Sequence, residues 1–323
     1  MNASRKTPSG LKPASRKGSR LRPALPWLLL LAAAAGVAAR DSQTTSPAQA
    51  RIDFARPISL APDDVRAFPG PPPGFADPAP GVAPGRIENL HYRSGVTGNQ
   101  RLARVYLPAG YQAGRRYPVL YLLHGIAGNQ DEWGGYVRAP AILDKLEASA
   151  RAVPMIVVMP NGRALPDDNP PAADQVFTPA NAAGFEKFER DLLDFLIPAM
   201  DAAYPTLADR GHRAIAGLSM GGGQALNFGL GHPERFAWVG AFSPAPNTRD
   251  VAELVPDAAS TRRDLRLLYL SCGNQDGLIA VSQAVHRGLV QRAVPHLWNV
   301  DDHGHDRESW AENFYRFAQL VFR

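Results

Sequence analysis

Five stretches of the chain are apolar without alternation: residues 117–123, 155–159, 213–218, 236–242 and 265–271. An unbroken apolar run of five to seven residues predicts a strand buried on both faces. Residues 88–94 and 101–108 differ. They alternate, and predict two half-exposed strands around a turn containing Gly95 and Gly98. Between the apolar runs the period lengthens. Phe188, Leu192, Phe195, Leu196 and Met200 recur at three- and four-residue steps and predict a helix within 185–204. Weaker helical patterns cover 139–150, 221–231, 279–293 and 309–322. Strands alternating with helices predict an α/β domain with a mainly parallel central sheet and helices on both faces. Residues 161–184 are rich in Pro, Asp and Ala and read as a long loop, an insertion or lid.

Upstream the texture changes. Residues 1–39 carry seven basic residues and no acid, and an apolar stretch of Leu, Trp and Ala follows the basic run. This is the pattern of a secretory signal peptide, too short to span a bilayer of about 30 Å. The expected division is a signal peptide over 1–39, with cleavage as late as 50, an arm over 40–85 and a catalytic domain over 86–323. Seven Pro and four Gly fall within residues 69–85, so that part of the arm can join neither a ladder nor a helix.

Charge changes the picture once the signal is set aside. The formal net charge is +5, but without residues 1–39 the remainder carries −2. No basic stripe is left to track phosphates, so nucleic acid is not an expected partner. Cys272 is the single cysteine, which excludes an intrachain disulfide and a thiolate zinc site. Neither a metal nor a cofactor is expected, and no stable membrane insertion after signal cleavage.

The candidate chemistry centres on Gly217-Leu218-Ser219-Met220-Gly221, a G-x-S-x-G sequence between a buried-strand run and a helical pattern. A sharp strand-to-helix turn lifts a serine hydroxyl above the sheet edge. It is crowded, so small residues must stand two positions to either side. Such a nucleophile needs two N–H donors for the oxyanion it creates. Met220, directly after the serine, supplies one; the loop after the 117–123 run supplies the other, from Ile126. His124, before Gly125 in that loop, reads as a structural hydrogen-bonding residue.

An orienting acid and a base must follow in the order Ser, acid, His. Asp276 lies just past the 265–271 run, at a strand end. Residues 300–306 follow another strand pattern opened by His296, and hold both His303 and His305; position alone does not separate them. His286 falls in a helical pattern. Cys272 reads as a small buried side chain.

These residues resemble the esterase D/feruloyl esterase family, the type grouped as carbohydrate esterase family 1, with an α/β-hydrolase fold. The resemblance runs through residues 105–111, 117–128, 213–224, 242–247 and 272–276, and covers roughly residues 86–322. It implies a triad of Ser219, Asp276 and His305, the last chosen because the family's Gly-His-Asp matches Gly304-His305-Asp306. It implies a carboxylic ester hydrolase acting on a small or polysaccharide-linked ester, feruloyl or acetyl groups on xylan. Related branches hydrolyse S-formylglutathione or siderophore esters, or transfer mycolyl groups; a binding protein with a dead site is the non-enzymatic alternative. Trp310 and Gln224 are candidate substrate-binding side chains, whereas Trp133 and Trp298 read as core or edge aromatics. The 161–184 segment and Asp302-His303 depart from the family's pattern and leave the substrate open.

Overall fold

The computed structural model describes residues 57–323; the expected signal peptide and the start of the arm lie outside them. Within that range eight strands form one sheet in the order β1-β2-β4-β3-β5-β6-β7-β8. They are β1 Arg86–Arg93, β2 Gln100–Leu107, β3 Val119–Leu123, β4 Ile156–Pro160, β5 Arg213–Leu218, β6 Trp238–Phe242, β7 Leu267–Gly273 and β8 Leu297–Asp301. β1 and β2 run antiparallel, as does the β2–β4 pair; every other neighbouring pair is parallel. This is the α/β-hydrolase fold.

The helices are α1 Ala139–Ala148, α2 Pro179–Asp191, α3 Ile197–Ala203, α4 Met220–Gly231, α5 Val251–Leu254, α6 Ala258–Asp264, α7 Ile279–Gln291 and α8 Arg307–Phe317. They divide between two cores, one on each face of the sheet. β3 sends Val119, Tyr121 and Leu123 to the core shared with α2, α3, α4 and α7, and sends Leu120 and Leu122 to the core shared with α1 and α8. Both alternate sets are buried, which is why the sequence shows no alternation there. Removing one such leucine side chain costs about 2–5 kcal/mol.

The strand order reverses direction between β3 and β5: β4 lies to one side, β6 to the other. The crevice at the C-terminal ends of these strands is where doubly wound sheets carry their ligands. The turns after β3, β5, β7 and β8 all open there.

One expectation needs correction. Residues 161–184 are not all loop: Thr178 caps α2 by accepting the Asn181 N–H, Pro179 occupies the first turn, and the helix therefore begins inside the segment. The start of the loop is also anchored. Arg101, 2% exposed on β2, donates to the Asn161 and Arg163 carbonyls at 2.9 and 2.8 Å and pairs with Asp168 and the buried Asp191.

Residues 57–85 contain no helix or strand, yet they are packed rather than free. The Val300 N–H of β8 donates to the Val65 carbonyl at 3.1 Å, and Asp64 accepts from the Trp298 indole. The segment thereby lies against part of the β8 edge of the sheet.

Candidate active site

Ser219 sits at the junction of β5 and α4 with φ 52° and ψ −119°, a strained conformation for a residue with a side chain. The flanking glycines are what the turn demands. A Cβ on Gly217 would come within 2.3 Å of the Gly221 carbonyl, and one on Gly221 within 2.4 Å of the Leu123 carbonyl. The turn is held by the Ser219 N–H donating to the Phe242 carbonyl at 2.9 Å. The Ser219 side chain thus stands above the sheet, at the N-terminus of a helix.

His305 arrives from the loop between β8 and α8. Its Nε2 lies 2.9 Å from Ser219 Oγ, and its Nδ1 lies 2.8 Å from Asp276 Oδ2. Asp276 is fully buried, and its Oδ1 accepts the Leu278 N–H at 2.7 Å. Burial alone would raise its pKa. The charge and hydrogen bond of His305, with the Leu278 N–H, outweigh that and hold it below the ordinary aspartate value. An ionised Asp276 accepts a hydrogen bond from Nδ1–H, and in that tautomer the Nε2 lone pair faces the Ser219 hydroxyl.

The acid turn and the histidine loop are joined by their backbones. Asn274 N–H donates to the Asp301 carbonyl and Gln275 N–H to the His303 carbonyl. They approach so closely that a Cβ on Gly273 would lie 2.0 Å from the His303 oxygen. His303 itself turns elsewhere, with Nε2 3.4 Å from Glu312. The structure therefore distinguishes the two histidines that position along the chain did not.

On the other side of Ser219, residues 124–128 follow β3. A Cβ on Gly125 would lie 3.5 Å from Ser219 Cβ, so this loop packs directly on the Ser219 turn. His124 is fully buried and burial lowers its pKa to about 4. In the neutral ring Nε2 accepts the Gly162 N–H at 2.8 Å, leaving Nδ1–H to donate to the Gly125 carbonyl at 2.7 Å. Met220 opens α4, so its N–H has no intrahelical carbonyl. The Ile126 N–H makes no backbone hydrogen bond among the described residues.

Ile126, Phe185, Met220, Ala245 and Leu278 form a small apolar cluster, in which Met220 directly follows Ser219 and the Ala245 N–H donates to the Ser219 carbonyl at 3.0 Å. The sequence scatters these residues over five segments, so only Ile126 and Met220 were singled out, and for their N–H groups. Trp310 is 7% exposed and stands edge-on to His305, ring centres 5.2 Å apart. Gln224 is 1% exposed, and its amide donates to the Gly162 and Phe185 carbonyls, bracing the segment after β4 against α2. Trp133 and Trp298 spend their indole N–H groups on the Leu123 carbonyl and on Asp64. Burial and the adjacent Asp276 push the Cys272 thiol well above its ordinary pKa, which leaves no thiolate to act as a nucleophile.

A second buried network went unnoticed in the sequence. Asp301, fully buried, accepts from Ser309 Oγ at 2.8 Å, Asn313 Nδ2 at 2.7 Å and the His303 N–H at 2.9 Å. It ties the base of the histidine loop to α8. Polar residues on a buried helix face, Ser309 and Asn313, were the available signal.

The family described as "Putative esterase" matches residues 94–318, about 70% of the chain. The chain belongs to this esterase family. Its enzyme class is that of the carboxylic ester hydrolases. An endo-1,4-beta-xylanase/feruloyl esterase of Xylanibacter ruminicola is 30% identical over 253 residues, 74% of this chain and 32% of that protein. This esterase-family chain thus spans about a third of the length of that relative. A CE1 ferulic acid esterase from Anaeromyces mucronatus, solved with ferulic acid, aligns with a TM-score of 0.71 at 27% identity, covering 78% of this chain and 96% of that one. An S-formylglutathione hydrolase from Staphylococcus aureus shares the fold, with a TM-score of 0.58 at 20% identity over 74% of this chain and 99% of its own. Among the described residues no helix is long and apolar enough to cross a membrane.

Proposed function

We propose that this chain is an exported serine esterase that removes feruloyl or acetyl groups from plant cell-wall polysaccharide through an acyl-enzyme on Ser219. The observation that carries the reading is the continuous hydrogen-bonded line Ser219–His305–Asp276, with both bonds within 2.9 Å. His305 Nε2 takes the hydroxyl proton as Ser219 Oγ attacks the ester carbonyl. Negative charge then develops on the carbonyl oxygen, where the N–H groups of Ile126 and Met220 meet it. Asp276 holds the imidazole tautomer and stabilises the imidazolium. The proton passes to the departing alcohol oxygen, leaving the acyl group on Ser219. Water repeats the sequence, its proton going to His305 and its oxygen to the acyl carbon; Ser219 leaves with the proton returned.

The substrate class rests on the kinship with ferulic acid esterases. Trp310, beside His305, is the candidate aromatic surface for a ring of the substrate. Export rests on the basic-then-apolar pattern of residues 1–39.

The test is a hydrolysis panel on purified protein with methyl ferulate, acetylated xylan, p-nitrophenyl acetate and S-formylglutathione, each with Ser219→Ala alongside. Turnover of methyl ferulate or acetylated xylan, absent in the alanine variant, is the expected result. A clear preference for the thioester overturns the cell-wall assignment.

A further inference from the structure

Glu132 has no part in the chemistry above, yet its carboxyl lies inside the loop that carries Ile126. It opens a π-helical turn, Glu132–Tyr136, whose next residue, Trp133, is fixed to the end of β3 by its indole N–H. From there Glu132 Oε2 accepts the Gly125 N–H at 2.7 Å. The loop wraps closely around it: a Cβ on Gly128 would lie 2.5 Å from Oε2, and one on Gly125 3.6 Å from the same oxygen. Burial raises the carboxyl's pKa, and the Gly125 N–H and the His305 charge pull against that shift.

The peptide that links Gly125 to Ile126 is thereby fixed from every side. Its carbonyl, that of Gly125, accepts from His124 Nδ1 at 2.7 Å and from the Gly128 N–H at 3.1 Å. In a trans peptide the N–H points opposite to the C=O. The Ile126 N–H therefore points away from both donors. The Ile126 carbonyl in turn accepts from Asn181 Nδ2 at 3.3 Å. Glu132 supplies the only carboxyl in this set. It holds the peptide just before, and without it the Gly125 N–H loses its acceptor.

We infer that Glu132 is a positioning residue of the oxyanion loop: by accepting the Gly125 N–H it fixes the direction in which Ile126 presents its own N–H to the reacting carbonyl oxygen. The inference rests on the Ser219 esterase reading. It acts on charge that exists only in the transition state, so its loss lowers kcat and leaves KM little changed.

The experiment compares Glu132→Leu and Glu132→Ala, which remove the acceptor, with Glu132→Gln, which keeps one at the same reach. Folding is followed by thermal unfolding, and Ser219→Ala is run in the same ester assay. Loss of one oxyanion donor costs about 100- to 1,000-fold, so a misdirected donor is expected to lower kcat about 10- to 100-fold in the Leu and Ala variants, with KM within about twofold and with Gln restoring kcat to within about threefold. A folded Leu or Ala variant with kcat close to wild type overturns the inference. So does failure of both to fold while Gln folds, since the carboxyl would then serve the fold alone, and so does an equal loss in the Gln variant. Wild-type turnover in Ser219→Ala would instead sink the parent reading.

Discussion

His305 Nε2 lies 2.9 Å from Ser219 Oγ across a separation of 86 residues, whereas His303, two positions away, faces Glu312. The two histidines should therefore behave differently when removed. His305→Ala is expected to lower kcat by at least about 10⁴-fold, because the base that takes the serine proton is gone. His303→Ala is expected to stay within about threefold of wild type, since its ring faces Glu312 and not Ser219. Steady-state kinetics on one ester substrate compares them directly.

Asp276 is expected to act through His305 alone. Asp276→Asn keeps the shape but offers an amide where a carboxylate stood, so the imidazole loses the partner that fixes its tautomer. A fall in kcat of about 10⁴-fold is expected, with KM little changed. The carboxylate's pKa is held below its ordinary value, so its contribution to stability is full above about pH 4 and is lost as pH falls through the folded value. Acid unfolding of the Asn variant should lack that part of the pH dependence.

How much of this was legible beforehand depends on the range of the interactions. The five strand runs were visible because burial on both faces writes an unbroken apolar string, as in Val119–Leu123. The elbow was visible because a strained turn at Ser219 forces Gly217 and Gly221. α5 and α6 were missed: both are too short to show a period, and α6 buries none of its residues. The start of α2 was hidden by the Pro- and Ala-rich composition around it, although Thr178 and Pro179 were a readable cap. The two backbone carbonyls that Gln224 meets were not legible, because they come from segments far away in the chain. The Asp301 and Arg101 networks join residues far apart in the chain, and periodicity says nothing about such pairings.

Arg101 provides a stability test. Arg101→Met leaves Asp191 buried without its cation and frees the Asn161 and Arg163 carbonyls. A loss of about 3–5 kcal/mol is expected in urea unfolding. The double variant Arg101→Met/Asp191→Leu should recover part of it, because the fully buried Asp191 charge is removed along with its cation and only the partly exposed Asp168 is left without its partner.

His124 makes a pH-dependent contribution. Burial lowers its folded pKa to about 4, so the folded protein binds fewer protons than the unfolded chain between about pH 6.5 and 4. Stability from this residue is full above about pH 6.5 and falls by about 3 kcal/mol as the pH approaches 4. Urea midpoints measured across that range should show the decline, and His124→Gln should flatten it.

The central claim is that Ser219 Oγ is the atom that becomes acylated. Peptide mass spectrometry after reaction with a fluorophosphonate ester measures this most directly. One adduct per chain on the peptide containing Ser219, formed in step with loss of esterase activity and abolished by His305→Ala, is the expected result. Full inactivation with Ser219 unmodified, or an adduct on another residue that tracks the loss of activity, would contradict it.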